Sequence, residues 1–254
     1  MISSVTPTYN RADTLGRAID SVLRQTCPDW ELIVVDDGST DETTAVLASY
    51  TDERIHVFRH ERNRGATAAK NTGLDRMRGE WFTILDSDDE MMADALEVML
   101  DIARRTGANA ITCNCVDSQT GEMTGLGHTG DGRLSPYEAA RYHGEHWGLT
   151  QTSLLGDLRF DERLPAYEDT VWLKIDATAR RYYVHRALRI YHTEGNDRLI
   201  ASLGASSLAR KVRIYSAIGD DHLYLRLLKQ ANPTGYRHTM RRVRAARLLR
   251  RVVR

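Results

Sequence analysis

No stretch of this chain is apolar for the roughly 18 residues a membrane span needs, so no spanning helix is expected. Cysteine is scarce too. Cys27, Cys113 and Cys115 are too few for a disulfide framework, and no second Cys or His pair has zinc-site spacing. Cys113 and Cys115, two apart on a predicted strand, share a face and are expected to pack inside. A reducing cytoplasm suits that content. Met1-Ile2-Ser3-Ser4-Val5 passes directly into a predicted strand, so no leader peptide is expected. Internal repeats and low-complexity tracts are missing, and so is net charge: 35 Lys and Arg balance 35 Asp and Glu.

That balance conceals an asymmetry. Residues 1–100 carry ten Lys and Arg against 19 Asp and Glu, whereas residues 201–254 carry 13 against two. From Arg244 onward, Ala245, Leu248, Leu249, Val252 and Val253 follow helical spacing, with Arg244, Arg247, Arg250, Arg251 and Arg254 on the other side. The expected partner of this helix is either an anionic membrane surface or protein, its own domain or a second copy in a homodimer. Nucleic acid is not expected, because no aromatic platform accompanies the arginines.

At 254 residues, 41% hydrophobic and 28% charged, the chain suits one large domain, with or without a small appendage. Apolar runs at 32–35, 55–58, 81–85 and 110–116 predict strands. Helical stripes lie between them at Leu15–Leu23, with Asp13 as its predicted cap, and at Thr40–Tyr50, Ala66–Met77 and Ala93–Thr106. This alternation predicts an α/β fold, a mostly parallel sheet with helices on both faces. Gly121–Gly132 is too polar for a core element and predicts a loop or hairpin. Helices are predicted at 206–218, 221–231 and 236–254, broken at Asn232-Pro233-Thr234-Gly235.

Two predicted strands end in acids. Trp81-Phe82-Thr83-Ile84-Leu85 runs into Asp86-Ser87-Asp88-Asp89-Glu90, and Trp30-Glu31-Leu32-Ile33-Val34-Val35 into Asp36-Asp37-Gly38-Ser39-Thr40-Asp41. In an open α/β sheet ligands sit beyond the carboxyl ends of the strands, so both clusters would line one cleft. Hard oxygen ligands favour Mg²⁺ or Mn²⁺ with positions left open for phosphate oxygens, against the plainer reading of a solvated acidic turn. Asp37 can accept from a base N–H or a ribose hydroxyl. Gly38 permits positive φ, and Ser39 or Thr40 can cap the next helix.

Taken in order, these segments resemble the inverting glycosyltransferases of family 2, with the GT-A fold. Pro7-Thr8-Tyr9-Asn10-Arg11 is similar to the family's first strand-end motif and Val35–Asp41 to its second. Asn63-Arg64-Gly65 with Ala69-Lys70-Asn71-Thr72-Gly73 is similar to a third, and Leu85-Asp86-Ser87-Asp88-Asp89 to its Asp-x-Asp (DXD) metal motif. Glu168-Asp169 resembles the acidic pair carrying the base, and Arg189–Gly195 the late strand with its His-containing turn. The match is close over 1–100, looser over 155–200 and absent beyond.

The resemblance implies a GT-A domain over 1–200, with a nucleotide-binding half at 1–117 and an acceptor-facing half at 118–200, followed by a basic helical extension at 201–254. It implies Asp88 as ligand of Mn²⁺ or Mg²⁺, Asp86 on the ribose or the metal, and His192 on the metal or the diphosphate. Asp37 would read the base. Thr8 and Arg64 or Lys70 would fix the nucleotide, with Pro7, Tyr9, Asn10 and Ser87 beside it. Lys70 has a competing role as a helix-surface cation. Asp169 would be the general base and Glu168 its second, although acids in a first helical turn also suit the helix dipole.

The expected function is metal-dependent, inverting transfer of a sugar from a nucleoside diphosphate, UDP foremost, to an acceptor hydroxyl. The acceptor would be a polysaccharide, a lipid-linked glycan or a small metabolite. The expected location is the cytoplasm, with peripheral contact at the inner face of the plasma membrane if the last helix binds lipid. The alternatives are a sugar-nucleotide nucleotidyltransferase, disfavoured because the loop after the first strand lacks glycines, and a non-catalytic nucleotide-sugar-binding partner protein.

Overall fold

A computed structural model describes residues 1–139, 143–193 and 207–249. Glu194, Gly195, Arg250, Arg251, Val252, Val253 and Arg254 lie outside the described residues. The first half alternates strand and helix: β1 (Ile2–Thr8), α1 (Leu15–Leu23), β2 (Trp30–Asp36), α2 (Thr43–Ala48), β3 (Ile55–Arg59), α3 (Ala66–Leu74) and β4 (Trp81–Ile84). β1 pairs in parallel with both β2 and β4, and β2 in parallel with β3. The spatial order β3-β2-β1-β4 reverses direction at β1, so the crevice beyond the ends of β1 and β4 is the topological switch point where such sheets bind ligands. Every residue of β1 and β2 is buried, as expected of strands covered on both faces.

Successive β2 residues feed different cores. Leu32 and Val34 pack with Leu15, Ile19 and Val22 of α1, whereas Ile33 and Val35 pack with Ala69 of α3. Gly73 brings α3 onto β1 so closely that a Cβ there would overlap the Val5 side chain.

The second half completes the sheet in mixed directions. β5 (Glu90–Met91), α4 (Ala95–Thr106), β6 (Ala110–Asp117), β7 (Gly132–Leu134), α5 (Pro136–Ala139), β8 (His146–Gln151), α6 (Thr152–Leu155), α7 (Asp169–Asp176) and β9 (Arg181–Tyr191) follow. β8 lies antiparallel between β4 and β6, β6 is parallel to β9, and β5 and β7 each pair antiparallel with β9. β9 thereby returns the chain from the far edge to the acidic segment after β4. Cys113 and Cys115 are both buried in the main core, as expected.

Three helices close the chain: α8 (Leu208–Asp220), α9 (His222–Ala231) and α10 (Pro233–Leu249). They share an apolar cluster with Leu164 and with Leu173 of α7. Three expectations need correction. α1 is preceded by Thr14, not capped by Asp13. The break in the tail falls at Asn232 alone: Pro233 already opens α10, since the first turn needs no N–H from it, and Asn232 Oδ1 accepts from the Gly235 N–H at 2.8 Å. The face of α10 that packs is Val243 and Ala246 rather than the Ala245–Leu248–Leu249 stripe, leaving Leu248 75% exposed. Packing against α8 sets that rotation: Gly219 admits the Val243 side chain, and Arg247 donates to the Gly219 carbonyl at 3.0 Å. No helix among the described residues is long and apolar enough to cross a membrane.

Candidate active site

The loops after β1 and β2 are laced together. The Asn10 N–H donates to Ser39 Oγ at 2.9 Å, and Asn10 Oδ1 accepts from the Thr40 N–H at 2.8 Å. Asp36 and Asp37, adjacent in sequence, act separately. Asp36 Oδ1 accepts from the Ser39 N–H at 2.9 Å, and its Oδ2 lies 3.1 Å from Arg59. Asp37 accepts from His60 Nδ1 at 2.6 Å and from the backbone N–H groups of Arg64 and Gly65 at 2.9 and 2.6 Å. It therefore binds the β3–α3 loop against the end of β2. Gly38, at φ +77°, makes this approach possible, because a Cβ would lie 2.7 Å from the Arg62 carbonyl carbon.

Pro7 and Thr8 end β1 and are buried, while Tyr9 is 38% exposed beside them. Thr8 Oγ1 has no hydrogen-bond partner among the described residues. Arg64 is exposed, 3.3 Å from Glu162.

Lys70 is no surface cation. On the inner side of α3 and only 7% exposed, it stands 2.5 Å from Glu168 and 3.5 Å from Asp86. Burial alone would lower its pKa, but the Asp86 and Glu168 carboxylates outweigh this and hold the ammonium well above its ordinary value. Reciprocally, Lys70 lowers the Asp86 carboxyl against its own desolvation. These three side chains line a cavity of about 290 Å³ that also takes in Phe82, Glu145, Trp147, Trp172 and Arg189. Asp86 of the motif after β4 and Glu168 of the acidic pair thus share one cleft, whereas Asp88 and Asp169 are not among the residues that line it.

Asp88 contrasts with Asp86. Burial first, and then the Asp86 charge, push its pKa up against the opposing fields of Arg11 and Arg17. Its carbonyl accepts from Arg17 at 2.6 Å. A carboxylate raised by desolvation and a like charge is stabilised by a cation, so the donor set here suits a hard divalent ion. No three His, Cys, Asp or Glu side chains among the described residues are gathered as a ready ligand set.

Asp89 Oδ1 accepts from the His192 N–H at 2.9 Å, and the His192 ring meets Glu90 at 2.9 Å through Nε2. The late histidine, one residue beyond β9, is thus brought to the acidic segment that follows β4.

Glu168 and Asp169 diverge. Glu168 makes no helix-capping bond and turns to Lys70. Asp169 opens α7, and its Oδ2 accepts from the Tyr224 hydroxyl at 2.6 Å in a partly buried contact. Desolvation, supported by Glu168, raises the Asp169 carboxyl, while the Tyr224 hydrogen bond opposes the rise.

The sequence did not single out Glu145, Trp147 or Arg189 for the site. Trp147 Nε1 donates to the Ile84 carbonyl at 2.8 Å, and Arg189 is buried 3.1 Å from Glu145 and 3.5 Å from Asp89. Glu145 immediately precedes β8, which carries Trp147, and Arg189 lies on β9, strands whose mixed pairing no local pattern announces.

Comparison with known proteins agrees with this architecture. The profile "Glycosyl transferase family 2" matches residues 3–153. The GalNAc(5)-diNAcBac-PP-undecaprenol beta-1,3-glucosyltransferase of Campylobacter jejuni is 34% identical over 220 residues, covering 83% of this chain and 70% of that protein. The UDP-Glc:alpha-D-GlcNAc-diphosphoundecaprenol beta-1,3-glucosyltransferase WfgD of Escherichia coli is 38% identical over 102 residues, 40% of each chain, so that match spans less than half of the relative. Among solved structures, TarS 1–349 of S. aureus in complex with UDP-GlcNAc superposes with a TM-score of 0.76 at 18% identity, covering 95% of this chain and 70% of that one. By sequence and by fold, this chain belongs to glycosyltransferase family 2 with the GT-A architecture.

Proposed function

We propose that the protein transfers a sugar, with inversion, from a UDP-sugar to a hydroxyl of a polyprenyl-diphosphate-linked glycan in a metal-dependent reaction. The observation that carries this reading is the Lys70 ammonium joining Asp86 of the segment after β4 to Glu168 of the acidic pair at one cavity. The UDP-GlcNAc named for TarS and the undecaprenol-linked substrates named for the two bacterial relatives support the choice of donor and acceptor.

Asp88 would hold Mn²⁺ or Mg²⁺, with Asp86 as a second carboxylate or a ribose contact. An ion held there would supply positive charge beside the departing diphosphate. His192, placed toward the diphosphate or the ion, would share or exchange its Glu90 partner. Thr8, Asp37 and the Arg64 loop would hold the nucleotide, with Pro7, Tyr9, Asn10 and Ser87 forming its walls. Asp169 takes the acceptor proton as the hydroxyl oxygen bonds to the anomeric carbon, and the electron pair of the breaking C–O bond leaves on the diphosphate. Lys70 keeps Asp86 ionised and pairs with Glu168 beside that centre.

The exposed Arg237, Arg241 and Arg244 of α10, with Leu248, would suit contact with the anionic membrane that carries such an acceptor. Hydrolysis of a panel of UDP-sugars, with and without Mn²⁺, tests the reading. Turnover of one donor only with the ion is expected, and nucleotide-sugar binding without turnover of any donor would favour a non-catalytic role.

A further inference from the structure

The helical tail supplies the base with a partner that the sequence did not single out. Asp221 fixes the start of α9 twice: Oδ1 accepts from the Tyr224 N–H at 3.0 Å, and Oδ2 pairs with Lys174 of α7 at 2.5 Å. Tyr224 is thereby set against the first turn of α7. It is 4% exposed and packs in one apolar cluster with Leu164, Leu173, Leu225 and Leu228. Its hydroxyl meets Asp169 Oδ2 at 2.6 Å.

We propose that Tyr224 is a positioning residue for the transfer reaction, its hydroxyl holding the Asp169 carboxylate in the orientation from which it accepts the acceptor proton. The inference rests on the assignment of Asp169 as base. A carboxylate at a helix start can swing about two side-chain bonds, whereas a general base must lie within about 2.6–3.2 Å of the oxygen it deprotonates. One short O–H···O⁻ bond from a buried, immobile ring removes that freedom. It also favours the ionised form, against burial and the neighbouring charge of Glu168. The 207–249 extension then belongs to the catalytic apparatus and is more than a packing appendage.

The groups acting on this carboxylate are Glu168 on its own helix, Tyr167 before it and Tyr224 on α9. Asp221 acts on Tyr224, and Tyr215 and Arg242 stand behind Tyr167. Tyr224→Phe keeps the packed ring and removes the donor. Measured on the full chain by UDP-sugar hydrolysis, kcat should fall about tenfold with UDP affinity unchanged. The acidic limb of kcat/KM should move to higher pH. Installing 3-fluorotyrosine at 224, a near-isosteric and more acidic phenol, should move the limb to lower pH even if the Phe variant folds poorly. Lys174→Met loosens the same docking without removing the donor, so it should lower thermal stability and move the limb in the same direction by less than Tyr224→Phe does.

An unchanged kcat and limb in Tyr224→Phe, or an unmoved limb with the fluorinated ring, overturns the positioning role. Asp169→Asn separates the two levels. Full turnover there removes the base assignment, whereas an inactive Asp169→Asn beside a silent Tyr224→Phe removes only the role of Tyr224.

Discussion

Lys70 and Glu168, 98 positions apart in the chain, meet at 2.5 Å in the cleft, and the same ammonium stands 3.5 Å from Asp86. One cation from α3 thus couples the end of β4 to the start of α7. Lys70→Met leaves two carboxylates facing each other without it. Because Asp86 is 44% and Glu168 35% exposed, solvent screens much of the loss, and about 1–2 kcal/mol of stability should disappear. Urea denaturation checks this, and donor turnover should fall by more than about tenfold in the same variant.

The cavity also contains a pH-sensitive group. Burial, with smaller contributions from His128 and Arg189, pushes His146 down to about 4, although a hydrogen bond involving Gly144 opposes the shift. The folded-state value lies below that of the unfolded chain, so the unfolded state takes up the proton first. Stability from the neutral ring is present above about 6.5 and lost as the pH falls toward about 4, with a slope of at most about 1.4 kcal/mol per pH unit. Chemical denaturation at a series of pH values should show that slope in the wild type and its reduction in His146→Gln.

Legibility in the sequence tracked locality. β1 to β4 and their helices were visible because each strand is a short apolar run closed by turn residues, and parallel order follows from strand-helix alternation. The acidic ends of β2 and β4 were visible for the same reason. The division of work within Asp36-Asp37 was not, since Asp37 takes its partners from residues 60–65, and only the fold brings that loop to it. Lys70 was ambiguous in sequence because a helix of nine residues with alanines all round does not reveal which side faces in. Arg189 and Tyr224 depend on β9 returning along the sheet and on α9 docking on α7, and neither event leaves a periodic signal near the residues concerned. The rotation of α10 was missed because its small residues offer two usable stripes, Val243–Ala246 and Ala245–Leu248, and the α8 surface decides between them.

Chemistry and binding should separate at the acidic pair. Asp169→Asn preserves shape but removes the base, so turnover should drop by roughly 10² or more while UDP affinity stays level. Glu168→Gln, which weakens the Lys70 contact, should impair turnover less. If steady-state kinetics and calorimetry find Glu168→Gln the more damaging, the two carboxylates exchange roles.

Asp88 should matter for the nucleotide only when the ion is present. Calorimetry with UDP is expected to show Mn²⁺-enhanced binding in the wild type, lost with EDTA and lost in Asp88→Ala. Tight binding indifferent to both would remove Asp88 as the ligand.

The most direct measurement follows the anomeric configuration of the sugar released when the protein hydrolyses its α-linked UDP-sugar. Proton NMR spectra would be collected before mutarotation scrambles the product. Inversion at a single centre predicts that the β-anomer appears first, and only in samples containing Mn²⁺ or Mg²⁺. Release of the α-anomer first, or equal turnover in EDTA, would contradict the account.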